Sequence, residues 1–447
     1  MSNRIFFERQ ITEPWLDASQ ILSALSDFSH LVYLKNANKP VIAFLPAEYM
    51  IQHHSTAQSF KRTSCFAYEP QVNPLSFDGF FDDTDSSSAH AFNGGLIGFI
   101  SYDYAAQQHL SNQAKPQPCL FLGIYRSYLK CTSQGWTFFS DEADAEIIFQ
   151  SLQNAFSQEK SLSFTLRQNC LPRWKADKYQ KAFQQVQEYI RAGDCYQINL
   201  TQEFQAKAEG LLLATAKAFW QLTDAPYSGY LKIDDFELLS CSPELFIAFE
   251  PDRKIVTRPI KGTMPRYTDA TLDQHSKQKL INSDKDQAEN LMIVDLLRND
   301  LSVYAETGSV KTPQLFQIES FNQVHHMVSE VTATLKQEVN PLRVLMSALP
   351  GGSITGAPKI RAMQIIDELE GAARGAYCGS LGYFNFDGTG CWNILIRSIQ
   401  KYQNDVSLWA GGGITIASNC DAEYQECFDK VAAMLDLLNT WSQVSQD

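Results

Sequence analysis

Lys261 stands in the run Pro259-Ile260-Lys261-Gly262-Thr263, between an apolar residue and a glycine. A lysine there is either a solvated surface charge or a buried amine whose pKa has fallen far enough to make it a nucleophile. The run alone leaves both readings open. Two acidic pairs, Asp286 with Glu289 and Glu423 with Glu426, share one spacing. Carboxylates three apart on a helix lie on one face. Four of them converging would repel unless a cation lay between, and a hard divalent ion such as Mg2+, which takes one or two carboxylates plus water, fits that need. For either pair taken alone the plainer reading is solvated acid near a helix start, where the dipole favours it.

Arg397 lies on a strand-like stretch, and Gly411-Gly412-Gly413 follow the next one. A guanidinium beside closely approachable backbone N–H groups makes a carboxylate receptor. A structural glycine turn next to an edge arginine is the equally available alternative. The segment Gly351-Gly352-Ser353-Ile354-Thr355-Gly356-Ala357-Pro358-Lys359 superficially echoes a phosphate loop. Such a loop ends in Gly-Lys-Ser/Thr, whereas Pro358 here has no N–H to offer, so nucleotide binding is disfavoured. The better expectation is a tight turn around Ser353 that shapes a small-molecule pocket.

The elements that must position these residues are legible in outline. Residues 1–145 alternate short strands and helices, with strand-like stretches at Leu31–Tyr33, Val41–Leu45, Gly95–Ser101 and Phe121–Ile124. An Asp- and Ser-rich stretch over Phe77–Ala91 reads as a surface loop. Residues 146–175 read as a helix and a connector closing at Pro172. Lys175–Ala192 is an amphipathic helix, with Tyr179, Phe183, Val186 and Ile190 at helical spacing and Gly193 to end it. Strands are expected at Tyr196–Phe204 and Phe236–Phe249, the latter interrupted at Ser242-Pro243. Ser283 starts a helix with Asp286 at the capping-box position, running through Leu291, Val294 and Leu297. The strands Cys378–Phe386, Trp392–Gln400 and Val406–Trp409 precede a helix over Asp421–Trp441. Grouped antiparallel strands with helices between the groups indicate an α+β sandwich.

The whole chain sets limits on function. Its 447 residues exceed one small core, and hydrophobic residues at 44% with charged residues at 19% are ordinary globular composition. A formal charge of −13 disfavours nucleic acid or an anionic membrane as a partner. An anionic substrate would therefore need locally supplied positive charge. The amino terminus has no signal-peptide stretch and no run approaches transmembrane length, so a cytoplasmic protein is expected. Ten cysteines occur without a C-x-x-C pair and read as reduced thiols.

Taken in order, Ser242-Pro243-Glu244, Pro259–Thr263, Ala288–Leu296 with Arg298-Asn299-Asp300, Val324-His325-His326, Gly351–Arg361, and Ala410–Gly413 followed by Glu423–Glu426 resemble the chorismate-utilising enzymes. The resemblance covers most of the chain and is strongest from about Asp177 onward. It implies a two-lobed sandwich of large antiparallel sheets with helices outside and the active site between the layers. An N-terminal lobe would occupy 1–145 and the chorismate-binding catalytic region 175–445. By the same resemblance Glu289 and Glu426 are direct Mg2+ ligands, with Asp286 and Glu423 acting through water. The metal would hold the ring carboxylate. Tyr377, Arg397, Gly411, Gly412 and Gly413 would hold the enolpyruvyl carboxylate, while His326, Ser353 and Lys430 line the substrate site.

The resemblance also discriminates among reactions. Members that form anthranilate carry a small residue where this chain has Lys261, and members that add water use a lysine where it has Gln197, which cannot act as a base. Lys261 with Gln197 is the pattern of the branch that aminates carbon 4, toward 4-aminobenzoate and folate. It implies attack by Lys261 on ring carbon 2, loss of the carbon 4 hydroxyl with a proton from Glu244, and displacement of the lysine by ammonia. No G-x-C-x-G nucleophile loop is present, so ammonia is expected from a separate glutamine amidotransferase subunit in a heterodimer. The rivals are anthranilate synthesis and a non-catalytic scaffold for the amidotransferase. One departure stands out: Cys391-Trp392 replace an Asp-Thr that often precedes the strand ending in the carboxylate-binding arginine.

Overall fold

The computed structural model describes residues 7–11, 16–81, 91–158, 160–321 and 324–443. The loop expected over 77–91 falls mostly on 82–90, outside the described residues. Among the described residues two antiparallel sheets, one of 13 strands and one of 12, form the sandwich. Phe99 of the smaller sheet meets Phe236 of the larger with ring centroids 5.3 Å apart, so the sheets share an apolar interior. Helices cover the outer faces. Ala176–Ala192 buries Tyr179, Phe183 and Val186 against Ile198, Leu200 and Ile414, and ends as expected on Gly193 at φ 84°.

Strands remote in sequence are interleaved in both sheets. Val32–Leu34 pairs with Tyr227–Ile233 in the larger, and Gly95–Ile100 pairs with Ser380–Asn385 in the smaller. Strands from 1–145 and from 175–445 thus share both layers.

The expected break at Ser242-Pro243 is a change of sheet. Phe236–Ser242 belongs to the larger sheet and Leu245–Phe249 to the smaller, with Glu244 on the crossing. Trp392–Gln400 is not one strand, which corrects the sequence expectation for Arg397. Gly390–Asn393 lies in the smaller sheet and Ser398–Tyr402 in the larger, so Arg397 occupies a second crossing at φ 50°. The two crossings are stitched together: Ile394 N–H donates to Glu244 O at 3.2 Å, and Cys241 N–H to Arg397 O at 3.0 Å. An acid and a guanidinium are thereby held between the layers. The expected carboxy-terminal helix is also divided, into Cys420–Asp429 and Ala432–Asn439, with the break at Lys430-Val431. Cys391-Trp392 pack into the wall of the smaller sheet. Trp392 is fully buried and closes so tightly on Gly382 that a Cβ there would lie 2.7 Å from its backbone and ring.

Candidate active site

Lys261 lies on Ile260–Pro265, which pairs with Val324–Thr334. Ile260 faces Val328 but Thr263 faces His326, so one extra residue is inserted at Lys261-Gly262. Such a bulge re-aims a side chain. Gly262 makes it possible, at φ 78°, and a Cβ there would come within 2.9 Å of the Asp286 carboxyl carbon. The half-buried Lys261 turns inward and donates from Nζ to Ser353 O at 3.0 Å. Burial drives its pKa below the usual lysine range, assisted by Lys430, against the pull of Glu289, Glu244 and Glu426.

Glu244 is buried, and burial lifts its carboxyl to about 7, against Lys261, the Ile260 N–H, Lys430 and Arg397. An acid that still carries a proton near neutrality can deliver it to a leaving group. His326 accepts or donates to Thr263 Oγ1 at 2.8 Å, and burial lowers its pKa to about 4, which keeps the ring neutral.

The helices that carry the two acidic pairs are linked by Lys285, which lies near Glu289 of one and Glu423 of the other. Ser283 caps the helix Asp284–Ser302 by accepting from Asp286 N–H, and Asn419 caps Cys420–Asp429 in the same way. Glu423 and Glu426 both press on Gly412, where a Cβ would lie 3.0 Å from an oxygen of each. Burial raises Glu289 and Glu423. It acts upward on Glu426 too, but Lys430, with Nζ at 2.7 Å, outweighs it and the net shift is downward. Lys285, which sequence reading passed over, reaches between the helices, 3.6 Å from Glu423 and 3.9 Å from Glu289. Its signal was its place four residues ahead of Glu289, the spacing of an ion pair on a helix, though in the less favourable order. At that range it gives Glu289 no hydrogen bond, and Glu289 Oε1 is buried without a hydrogen-bond partner among the described residues.

Arg397, His326 and Lys430 line one cavity of about 350 Å³ together with Pro243. Among the described residues Arg397 has no ion pair, and burial lowers its pKa. Asp405–Ile414 pairs with Gln197–Gly210 along its length, but with Ser398–Tyr402 only up to Leu408. Among the described residues the strand is unpaired on its other edge from 409 onward, next to the point where Arg397 leaves the sheet. Alternate N–H groups on an open edge are free to take a ligand. The glycine run is also a steric necessity: a Cβ on Gly413 would lie 1.9 Å from Gln197 Nε2. Lys430 donates to Gly411 O at 2.8 Å. Tyr377 is buried and stacked on Trp409, 6.0 Å between centroids, and its described contacts run to Arg374, Cys378 and Trp409 rather than to Arg397. In the Gly351–Lys359 segment Ser353 supplies a carbonyl, and Lys359 is taken up by Asp300 at 2.8 Å, a poor arrangement for a phosphate loop.

A chorismate binding enzyme model matches residues 30–436. The chain belongs to the chorismate-binding enzymes. Within that family it is 43% identical over 357 residues to aminodeoxychorismate synthase component 1 of Escherichia coli (strain K12), covering 78% of this chain and 77% of that protein. It is 42% identical over 356 residues to the protein of the same name from Klebsiella aerogenes, covering 78% of each. The crystal structure of anthranilate synthase component I from Streptococcus pneumoniae TIGR4 superposes with a TM-score of 0.73 at 26% identity, covering 88% of this chain and 91% of that one. Similar proteins are thus named for two different products, aminodeoxychorismate and anthranilate.

Proposed function

We propose that this chain is the chorismate-aminating component of an aminodeoxychorismate synthase, making 4-amino-4-deoxychorismate from chorismate and ammonia. The observation that carries the reading is the inward-turned Lys261, bound to the Ser353 carbonyl and electrostatically coupled to Glu244, with Gln197 where a water-activating base would be needed. The similarity to proteins named aminodeoxychorismate synthase component 1 supports the same reading.

In the proposed sequence the neutral Lys261 amine forms a bond to ring carbon 2 as the carbon 4–oxygen bond breaks. Glu244 gives its proton to the departing hydroxyl, which leaves as water. Ammonia then bonds to carbon 4, the double bonds shift back, the carbon 2–nitrogen bond breaks, and the excess proton on the new amine returns to Glu244. The balance is chorismate plus ammonia to 4-amino-4-deoxychorismate plus water. Splitting one displacement into two is the gain from a covalent nucleophile. Arg397 and the open edge at Gly411–Gly413 hold the enolpyruvyl carboxylate, His326 offers a neutral ring on the same cavity, and Tyr377 is assigned a supporting place behind Trp409.

The acidic residues suit Mg2+. Glu289 keeps a buried oxygen with no hydrogen bond among the described residues, Gly412 gives Glu423 and Glu426 room that any side chain would take, and the donors are all hard oxygens. Among the described residues no three such ligands close around one point; an ion held by one or two carboxylates plus water does not require three. Glu289 and Glu426 would hold it directly and Asp286 and Glu423 through water, and it would supply positive charge for the ring carboxylate. Ammonia is assigned to a glutamine amidotransferase subunit, in keeping with the "component 1" of the relatives' name.

The test is product identification after incubating the purified chain with chorismate, Mg2+ and an ammonium salt at mildly alkaline pH. The expected product is 4-amino-4-deoxychorismate. Anthranilate or isochorismate would refute the assignment, and absence of turnover would favour a scaffold role.

A further inference from the structure

Behind the substrate cavity lies an ion pair that the proposed chemistry does not use. Arg374 and Glu370 are each 1% exposed. Arg374 grips Glu370 with two bonds, Nε to Oε2 at 2.8 Å and Nη2 to Oε1 at 2.7 Å. It also donates to two backbone carbonyls, Nη1 to Ile354 O at 3.0 Å and Nη2 to Asn199 O at 2.8 Å, with Cys378 Sγ 3.7 Å from Nη1. Glu370 Oε1 in turn accepts from Thr201 N–H at 2.9 Å and Thr201 Oγ1 at 2.7 Å.

These anchor points flank the site. Ile354 follows Ser353, whose carbonyl receives Lys261, and Asn199 Nδ2 adds a second donor to Ile354 O at 3.0 Å. Asn199 is opposite Gly413 and Thr201 opposite Gly411 in the strand pairing, so the pair also braces the strand behind the glycine run. Removing two charges so completely from water is costly, and hydrophobic residues of equal volume commonly serve stability as well. A fork that engages two backbone carbonyls at fixed angles supplies something that apolar packing does not, which is geometry.

We propose that Arg374 and Glu370 are positioning residues that set the Ser353 carbonyl against Lys261 and hold the strand backing Gly411–Gly413, so that amine and carboxylate receptor keep one relative placement. This rests on the reading of Lys261 as the nucleophile and of the glycine run as a carboxylate site. Arg374→Lys keeps the charge but loses the fork. The double variant Glu370→Gln with Arg374→Met removes both charges, the change best suited to preserving folding at such a position.

The test uses the full chain and three readouts: the melting temperature, KM and kcat for chorismate with ammonium, and the pH dependence of Lys261 acetylation by acetic anhydride, quantified on the Lys261 peptide. In both variants KM for chorismate should rise and kcat fall, together lowering kcat/KM by roughly 10- to 100-fold. In the double variant the Lys261 labelling curve should move to lower pH, because a carbonyl that stabilises the ammonium has been displaced. A wild-type labelling curve and wild-type KM in the folded double variant, whatever its melting temperature, would overturn the proposal. The labelling curve needs no turnover, so a wild-type chain that makes no aminated product refutes the functional reading without touching this one.

Discussion

At Glu244 burial holds the carboxyl at about 7, while at Lys261 it pushes the amine down from the usual lysine range. The reactive form needs Glu244 protonated and Lys261 neutral. A bell-shaped dependence of kcat/KM on pH follows, with its two limbs belonging to the coupled pair rather than to either residue alone. Glu244→Gln should lower kcat by about 10²- to 10⁴-fold and abolish the limb near pH 7. Steady-state rates across pH check this, and a surviving limb near pH 7 would assign it elsewhere. The motif around Lys261 was readable from its neighbours in sequence, but burial was not, because composition at one position does not tell what the fold will place around it. Lys285 was overlooked because its partner Glu423 lies on a helix more than a hundred residues away.

Elements explain why the site has its shape. The bulge at Lys261-Gly262 needs a left-handed residue and an absent side chain beside Asp286. Gly262→Ala should cost about 1–2 kcal/mol in backbone conformation and lower kcat/KM, as the bulge relaxes and Lys261 turns away. Gly413→Ala acts differently, since its Cβ must displace Gln197. Overpacking of about 1–3 kcal/mol there predicts a KM for chorismate raised by roughly 10- to 100-fold with a smaller effect on kcat, measurable in the ammonium-dependent assay. The helix Ala176–Ala192 was legible because Tyr179, Phe183, Val186 and Gly193 act locally. Arg397 was misplaced on a strand because the alternation through Trp392–Gln400 carries no mark of the change of sheet, which long-range pairing imposes. The break at Lys430-Val431 was likewise invisible in a continuous helical pattern.

For the whole molecule, interleaving has consequences. Residues 175–445 alone would leave Tyr227–Ile233 and Ser380–Asn385 without their partners Val32–Leu34 and Gly95–Ile100. Exposed inner edges of this kind aggregate. That fragment should therefore fail to give a monomeric, cooperatively melting species by size exclusion and circular dichroism. Fold class was readable from grouped strands, but the interleaving was not, because register between distant strands has no local signature. Acid sensitivity is also expected at this scale. His30 is enclosed by Tyr49, Tyr68 and Phe121, with neither ring nitrogen hydrogen-bonded among the described residues, and burial lowers its pKa from 6.5 to about 3. The unfolded chain takes up that proton first, so the contribution is intact above pH 6.5 and is lost progressively as pH falls toward 3. His30→Phe should flatten the fall in melting temperature over that window, and an unchanged slope would place the acid sensitivity elsewhere.

The net charge of −13 leaves an anionic substrate dependent on a few local cations such as Arg397, whereas Lys261 is assigned, as a neutral amine, to the chemistry itself. The most direct measurement is product analysis of Lys261→Ala beside the wild type, with chorismate, Mg2+ and ammonium, together with chorismate binding to both. The account predicts that the variant binds chorismate and makes no 4-amino-4-deoxychorismate. Wild-type rates of that product from Lys261→Ala would contradict it.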